Sequence, residues 1–197
     1  ATSHRTIIGQ NQTVIDNIIG YGNYDVGHVL CTANGGLARL PSVCAPPQFG
    51  YKAEAVSGLP NPVGDIYNVS VLSHELGHQF GANHTQSSNV NENFNTAMEP
   101  GSGSTIMSYA GIAPPNVQSQ SDAMFHYISF LEVSSTFAVG TGSCAQEITI
   151  ANDAPVVQSI PDQTIPKSTP FKLEADATDA NNDALTYSWE QINNDVV

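Results

Sequence analysis

Basic residues are what this sequence has least of. Five Lys and Arg stand against eighteen Asp and Glu in 197 residues, a formal charge of −13. A surface so acidic repels a phosphate backbone, which excludes nucleic acid as a partner. Long apolar runs are missing too. None approaches the ~20 residues a membrane-spanning helix needs, and no charged-then-apolar leader opens the chain, so any secretory signal is expected to have been removed. Cysteine is sparse: Cys31, Cys44 and Cys144 lie in separate segments with no CxxC pair. That argues against a thiolate metal site and leaves one disulfide plus one free thiol as the natural arithmetic. The 40% apolar content is ordinary and suits a soluble globular chain with one medium core and a small second one.

Hydrophobic spacing divides the chain. Asn11–Ile19, with Thr13 and Asp16 in capping-box spacing and Gly20 as a stop, predicts a short helix. Tyr24–Leu30 predicts a strand, and the Gly-, Pro- and Ala-rich residues 31–62 predict loops and edge strands. From Asp65 the period becomes helical through Val69, Leu72, Leu76 and Phe80 and stops at Gly81. Residues 83–115 read as mostly irregular, and Ser121–Phe137 as a second long helix. After Cys144 three β-prone runs, Ile148–Ile150, Phe171–Leu173 and Leu185–Trp189, alternate with Pro, Asn and Asp turns, the pattern of part of an all-β sandwich.

Histidine is also scarce, six in all, yet three of them crowd into "HELGHQFGANH", His74 to His84. His74 and His78 are one turn apart on one helix face, suited to two imidazole nitrogens meeting one ion. Glu75, between them, is placed to act as a general base on the open side. Gly81 permits a backbone turn that brings His84 back as third ligand. Three histidines and an open fourth position describe a catalytic zinc site, whereas structural sites close that position with Cys or His. The residue frequencies of this chain give roughly two in 100,000 for a chance match to HExxHxxGxxH, so chance is rejected. His4, His28 and His126 each stand alone and read as ordinary structural histidines. The glycan sequons at Asn11, Asn68 and Asn83 read as fortuitous, since the last two lie in or beside the histidine cluster.

"HELGHQFGANH" followed by "STIMSYAG" (Ser104–Gly111) resembles the zinc helix and Met-turn of the metzincin metallopeptidases. "NQTVIDNIIGYGNYDVGHVL", "GGLARLPSVC" and "EPGSGSTIMSYAGI" resemble, more narrowly, secreted bacterial relatives of the reprolysins, over about residues 5–146. The resemblance implies an α+β metzincin-type catalytic domain, residues 1–147, lacking its first strands and helix. A partial Ig- or cadherin-like β-sandwich module, residues 148–197, comes after it. The resemblance also implies zinc at His74, His78 and His84, Glu75 as catalytic base, Met107 as a hydrophobic floor beneath the metal, and a Cys44–Cys144 disulfide with Cys31 free. The family's snake-venom and adamalysin-type members carry Asp after the third histidine, where this chain has Thr85. Tyr109, two residues past Met107, has the spacing of the zinc-reaching tyrosine of astacin-like and serralysin-like metzincins, which implies a catalytic hydroxyl.

The function implied is a secreted zinc endopeptidase acting on protein or peptide substrates, with no nucleic-acid or membrane partner. The competing class is an adhesion or binding protein whose C-terminal β module carries the function. Within that module Asp176, Asp179, Asn181 and Asp183 offer oxygens of the kind that bind Ca²⁺; a polar surface loop is the simpler expectation.

Overall fold

A computed structural model describes residues 2–194. Residue 1 and residues 195–197, the outer ends of the two expected domains, lie outside the described residues. The chain falls into two compact units, Ala1–Ala145 with Glu190–Val197, and Gln146–Trp189.

The first unit is α+β. Helix α1 (His4–Ile18) starts seven residues before the expected helix. Its N-cap is Ser3, whose hydroxyl accepts from Thr6 N, whereas Thr13 donates within the helix to Gly9 O. A sequence window that begins at the capping box misses the turns before it, which open on the polar residues His4, Arg5 and Thr6. Three short strands come next, β1 (Val29–Cys31), β2 (Gly35–Ala38) and β3 (Ala55–Gly58), in the order β1-β3-β2. β1 runs parallel to β3 and β2 antiparallel, with Leu37 opposite Val56. The strand expected over residues 24–30 is therefore shorter and shifted to its end. Helix α1 is tied to the approach to β3 by Asn11 Nδ2, which donates to Ala53 O (2.7 Å), and by Gln12 Oε1, which accepts from Ala53 N (2.6 Å).

The helical stretch expected from residue 65 forms in three joined parts: α2 (Gly64–Tyr67), a π-helical turn (Asn68–Ser73) and α3 (His74–Gln79). Such π segments favour functional sites because the wider turn re-aims the helix beyond it. Gln79, fully buried, secures α3 to the sheet side: its amide donates to Gly27 O, and its Oε1 bonds His28 Nδ1 at 2.6 Å. His28 Nε2 meets Ser57 Oγ of β3 at 2.9 Å, so His28 is a structural bridge and burial lowers its pKa. Below α3 lies a small core of Ala82, Ile106 and Met107, with Val69, Phe125 and Val133 packed on it.

Between α3 and the last helix the chain is irregular apart from the two-residue parallel pair β4 (Gln86–Ser87) and β5 (Glu99–Pro100). Helix α4 (Tyr127–Val139) begins six residues later than expected. His126 is its N-cap, with Nδ1 accepting from Ile128 N at 3.1 Å. The Cys44–Cys144 disulfide is formed, with the two Cα atoms 5.7 Å apart, and Cys31 is free.

The second unit corrects the β-sandwich expectation. None of the three expected runs is a strand; the only ladder there among the described residues is the two-residue pair β6 (Val156–Val157) and β7 (Ala177–Thr178). Phe171, Tyr187 and Trp189 are all more than half exposed. Among the described residues of this unit there is no second sheet to bury an inner face, and isolated ladders of this size are marginal. The calcium expectation fares no better: among the described residues Asp176, Asp179 and Asp183 do not gather their oxygens around one point. Asp179 Oδ1 instead accepts from the backbone of Asn181 and Asp183, and Asn181 Oδ1 from Asp153 N, as in an ordinary loop.

Candidate metal centre and active site

Helix α3 delivers His74, Glu75 and His78 from one surface. The helix ends at Gln79 with Phe80 as its C-cap, and Gly81 turns the chain at φ +107°, a conformation that L side chains rarely adopt. This brings His84 back over the helix, with its Nε2 3.0 Å from His78 Nε2 and 3.2 Å from His74 Nε2. Two nitrogens held tetrahedrally at 2.0–2.1 Å from a zinc ion stand about 3.3 Å apart.

The other ring nitrogens explain the convergence. His74 Nδ1 meets Ile106 O (2.7 Å), His78 Nδ1 meets Ala82 O (2.8 Å) and His84 Nδ1 meets Asn91 O (2.8 Å). A carbonyl only accepts, so each Nδ1 carries the hydrogen and each Nε2 presents a lone pair. Burial keeps the rings neutral. It lowers His74 to about 4 with help from His84, lowers His78 well below the usual value with help from His74 and His84, and lowers His84. Three lone pairs aimed at one point repel each other unless a cation sits between them, and the chemistry of this donor set fits zinc.

Glu75 is buried, and its Oε2 has no hydrogen-bond partner. Burial pushes its carboxyl up to about 8. Its neighbour on the sheet side is Gly36 of β2, where any Cβ would overlap the carboxylate. Tyr109 lies beside the histidines, its ring centroid 4.6 Å from that of His84 and 5.8 Å from that of His74. Its hydroxyl accepts from Asn91 Nδ2 at 2.7 Å. Burial raises the phenol's pKa and Glu75 adds to this, while the Asn91 bond opposes it. Met107, fully buried, lies against Gly77 of α3 in the small core with Ala82 and Ile106.

Two hollows flank Glu75 and Tyr109. One, of about 420 Å³, is bounded by Gly36, Ile66, Val71, Glu75, Tyr109 and Ile112. The other, of about 240 Å³, is bounded by Leu37, Leu40, Glu75, His84, Asn91 and Tyr109. Both border β2, which is an edge strand of the three-stranded sheet among the described residues.

A model of the reprolysin-like metallopeptidase family M12B matches residues 1–133 of the 197. The chain belongs to that family. M12B metallopeptidases are zinc-dependent and act on proteins or peptides. Neither the curated proteins nor the solved structures gave a match.

The sequence-predicted residues His74, Glu75, His78, His84, Met107 and Tyr109 of this M12B chain are brought together, and Gly81 makes the turn between them. Asn91 was not foreseen: its carbonyl holds His84 and its amide holds Tyr109, from a left-handed backbone at φ 52°. Nor was Gly36, since a glycine facing a carboxylate leaves no local pattern. Glu99 was missed although it gives a signal, being the one charged residue between Glu92 and Asp122.

Proposed function

We propose that this chain is a secreted metzincin-type zinc endopeptidase in which His74, His78 and His84 hold the metal and Glu75 and Tyr109 act on the substrate. The reading is carried by the three converging Nε2 lone pairs, each fixed by a carbonyl on its Nδ1, beside a buried carboxylate oxygen with no partner. Zinc, when bound, supplies a Lewis acid that polarises the scissile carbonyl and makes a water more acidic.

The remaining steps belong to side chains. A divalent cation alongside favours the ionised form of Glu75, reversing the effect of burial. Glu75 Oε2 then accepts a proton from the attacking water and returns it to the leaving amine nitrogen. The Tyr109 hydroxyl accepts from Asn91, which leaves its own proton free to donate to the carbonyl oxygen as that oxygen becomes an oxyanion. An extended peptide can add along the open edge of β2, its side chains entering the hollows on either side of Glu75.

Secretion is the compartment this reading favours. The Cys44–Cys144 bridge persists best under oxidising conditions, and among the described residues no helix is long and apolar enough to cross a membrane.

Glu75→Gln tests the reading. The variant should retain one zinc and lose peptide hydrolysis by several orders of magnitude, and a chelator should abolish wild-type activity. Hydrolysis unaffected by either change would refute it and favour a binding role.

A further inference from the structure

Glu99 is 6% exposed, and among the described residues no cation pairs with it. Its carboxylate is instead saturated by five donors. Oε1 accepts from Ser104 N (2.8 Å), Thr105 N (3.0 Å) and the Ser104 hydroxyl (3.3 Å). Oε2 accepts from the Thr105 hydroxyl (2.6 Å) and the Thr85 hydroxyl. A buried carboxylate without a counter-ion is tolerated only when hydrogen bonds replace its lost hydration this fully.

The five donors come from two segments that each lead directly to the histidine cluster. Thr85 comes directly after His84 and is fully buried; its N–H donates to Met107 O, and its carbonyl accepts from Met98 N and Glu99 N. Thr105 precedes Ile106, whose carbonyl fixes the Nδ1 of His74. Removing the carboxylate would leave the Thr85 and Thr105 side chains and two backbone N–H groups facing one another in a buried space with no acceptor.

We propose that Glu99 is a positioning residue of the metal centre: its two oxygens lock the segment bearing His84 to the turn that orients His74. It touches neither metal nor substrate. It sets the spacing at which the Nε2 atoms converge, and so the lifetime of bound zinc. This rests on the zinc reading of the three histidines.

The test is zinc affinity, measured by competition with a chromophoric chelator, on the full chain and three variants. Glu99→Gln keeps the volume but takes away one acceptor oxygen. Thr85→Val keeps the shape and removes a single hydroxyl donor, so it serves if Glu99→Gln fails to fold. Ile8→Ala, in α1 and not among the residues lining the site, is a control for lost stability. Glu99→Gln and Thr85→Val should weaken zinc binding by about 10–100-fold, the usual cost of removing an outer support of a metal ligand, and should change the visible spectrum of the Co²⁺-substituted protein. Ile8→Ala should lower the melting temperature with zinc affinity within about twofold of wild type, the margin of a change that leaves the ligands in place. Affinity unchanged in both Glu99→Gln and Thr85→Val, or in Thr85→Val alone if the other does not fold, would overturn the proposal. A wild-type chain that bound no zinc would overturn the reading of the histidines and this inference with it.

Discussion

Replacing Tyr109 with Phe isolates one hydroxyl. The ring stays, and with it the contact to the His84 ring at 4.6 Å and to the His74 ring at 5.8 Å. The bond from Asn91 Nδ2 to the hydroxyl is lost, but Asn91 is exposed and its amide can turn to water, so the stability cost should be at most about 1 kcal/mol. In a chain of this size that lowers the melting temperature by about 2–4 °C. The kinetic cost should be larger. A preorganised donor to a developing oxyanion is worth about 3–4 kcal/mol, and the Tyr109 proton is free for that use because the hydroxyl oxygen already accepts from Asn91. Steady-state hydrolysis of an internally quenched peptide should show kcat down by roughly a hundredfold with KM little changed, because the bond forms mainly in the transition state. Zinc content should remain at wild-type level. A kcat within about twofold of wild type, against the hundred- to thousandfold expected of a lost oxyanion donor, would reduce Tyr109 to a packing residue with no part in catalysis.

The same geometry sets other outcomes. In the metal-free protein Glu75, raised to about 8 by burial, contributes stability that is complete below its unfolded value near 4.5 and is lost as pH rises toward 8. Glu75→Gln should therefore raise the melting temperature of the metal-free form at pH 8–9 and leave it unchanged at pH 4, and an equal shift at both would contradict the assignment. The histidines have the opposite sign: lowered by burial, with His74 at about 4, they destabilise the metal-free fold as pH falls from about 6.5 toward 4, an effect that calorimetry should find reduced in His74→Asn, where His78 and His84 still contribute it. Gly36→Ala puts a methyl against the Glu75 carboxylate and should cut activity more than tenfold with zinc retained, as expected for a displaced general base; full activity would show that β2 gives way. Cys44→Ser opens a loop of 100 residues and should cost up to about 4.7 kcal/mol in the chain-entropy account, whereas Cys31→Ser should be neutral by thermal melting.

Local patterns were legible in the sequence where one element settles them alone. The i, i+4 spacing of His74 and His78 with Glu75 between them depends only on helix geometry, and Gly81 only on the conformation it permits. The ends of α1 and α4 were not legible, because His4–Asn11 and Ser121–His126 mix polar and apolar residues without a clear helical stripe, and their state is decided by what they touch. Ser3 captures Thr6 N at one end, and His126 delays the start of the helix at the other. The strands were misplaced after Cys144 for a related reason: β-prone residues make strands only with a partner and a covered face, and Phe171 and Trp189 have too little cover within their own unit.

What converts three nearby histidines into a metal site lies outside their motif. The Nδ1 of His74 is fixed by the backbone of residue 106 and that of His84 by the backbone of residue 91, and a carbonyl demands no particular side chain at either position. Such supports cannot be seen as a pattern of residue types; they come into view only when the Met-turn and the loop after His84 are folded onto α3. Side chains that hold those two segments should therefore matter to the metal as much as those next to it. Thr85, a departure from the family pattern when read alone, acquires a reason there, since its hydroxyl donates to the Glu99 carboxylate that also gathers Ser104 and Thr105. The same logic makes Asn91 the most sensitive outer position, because one residue carries the carbonyl for His84 and the amide for Tyr109. Displacing it would disturb a ligand and the oxyanion donor together.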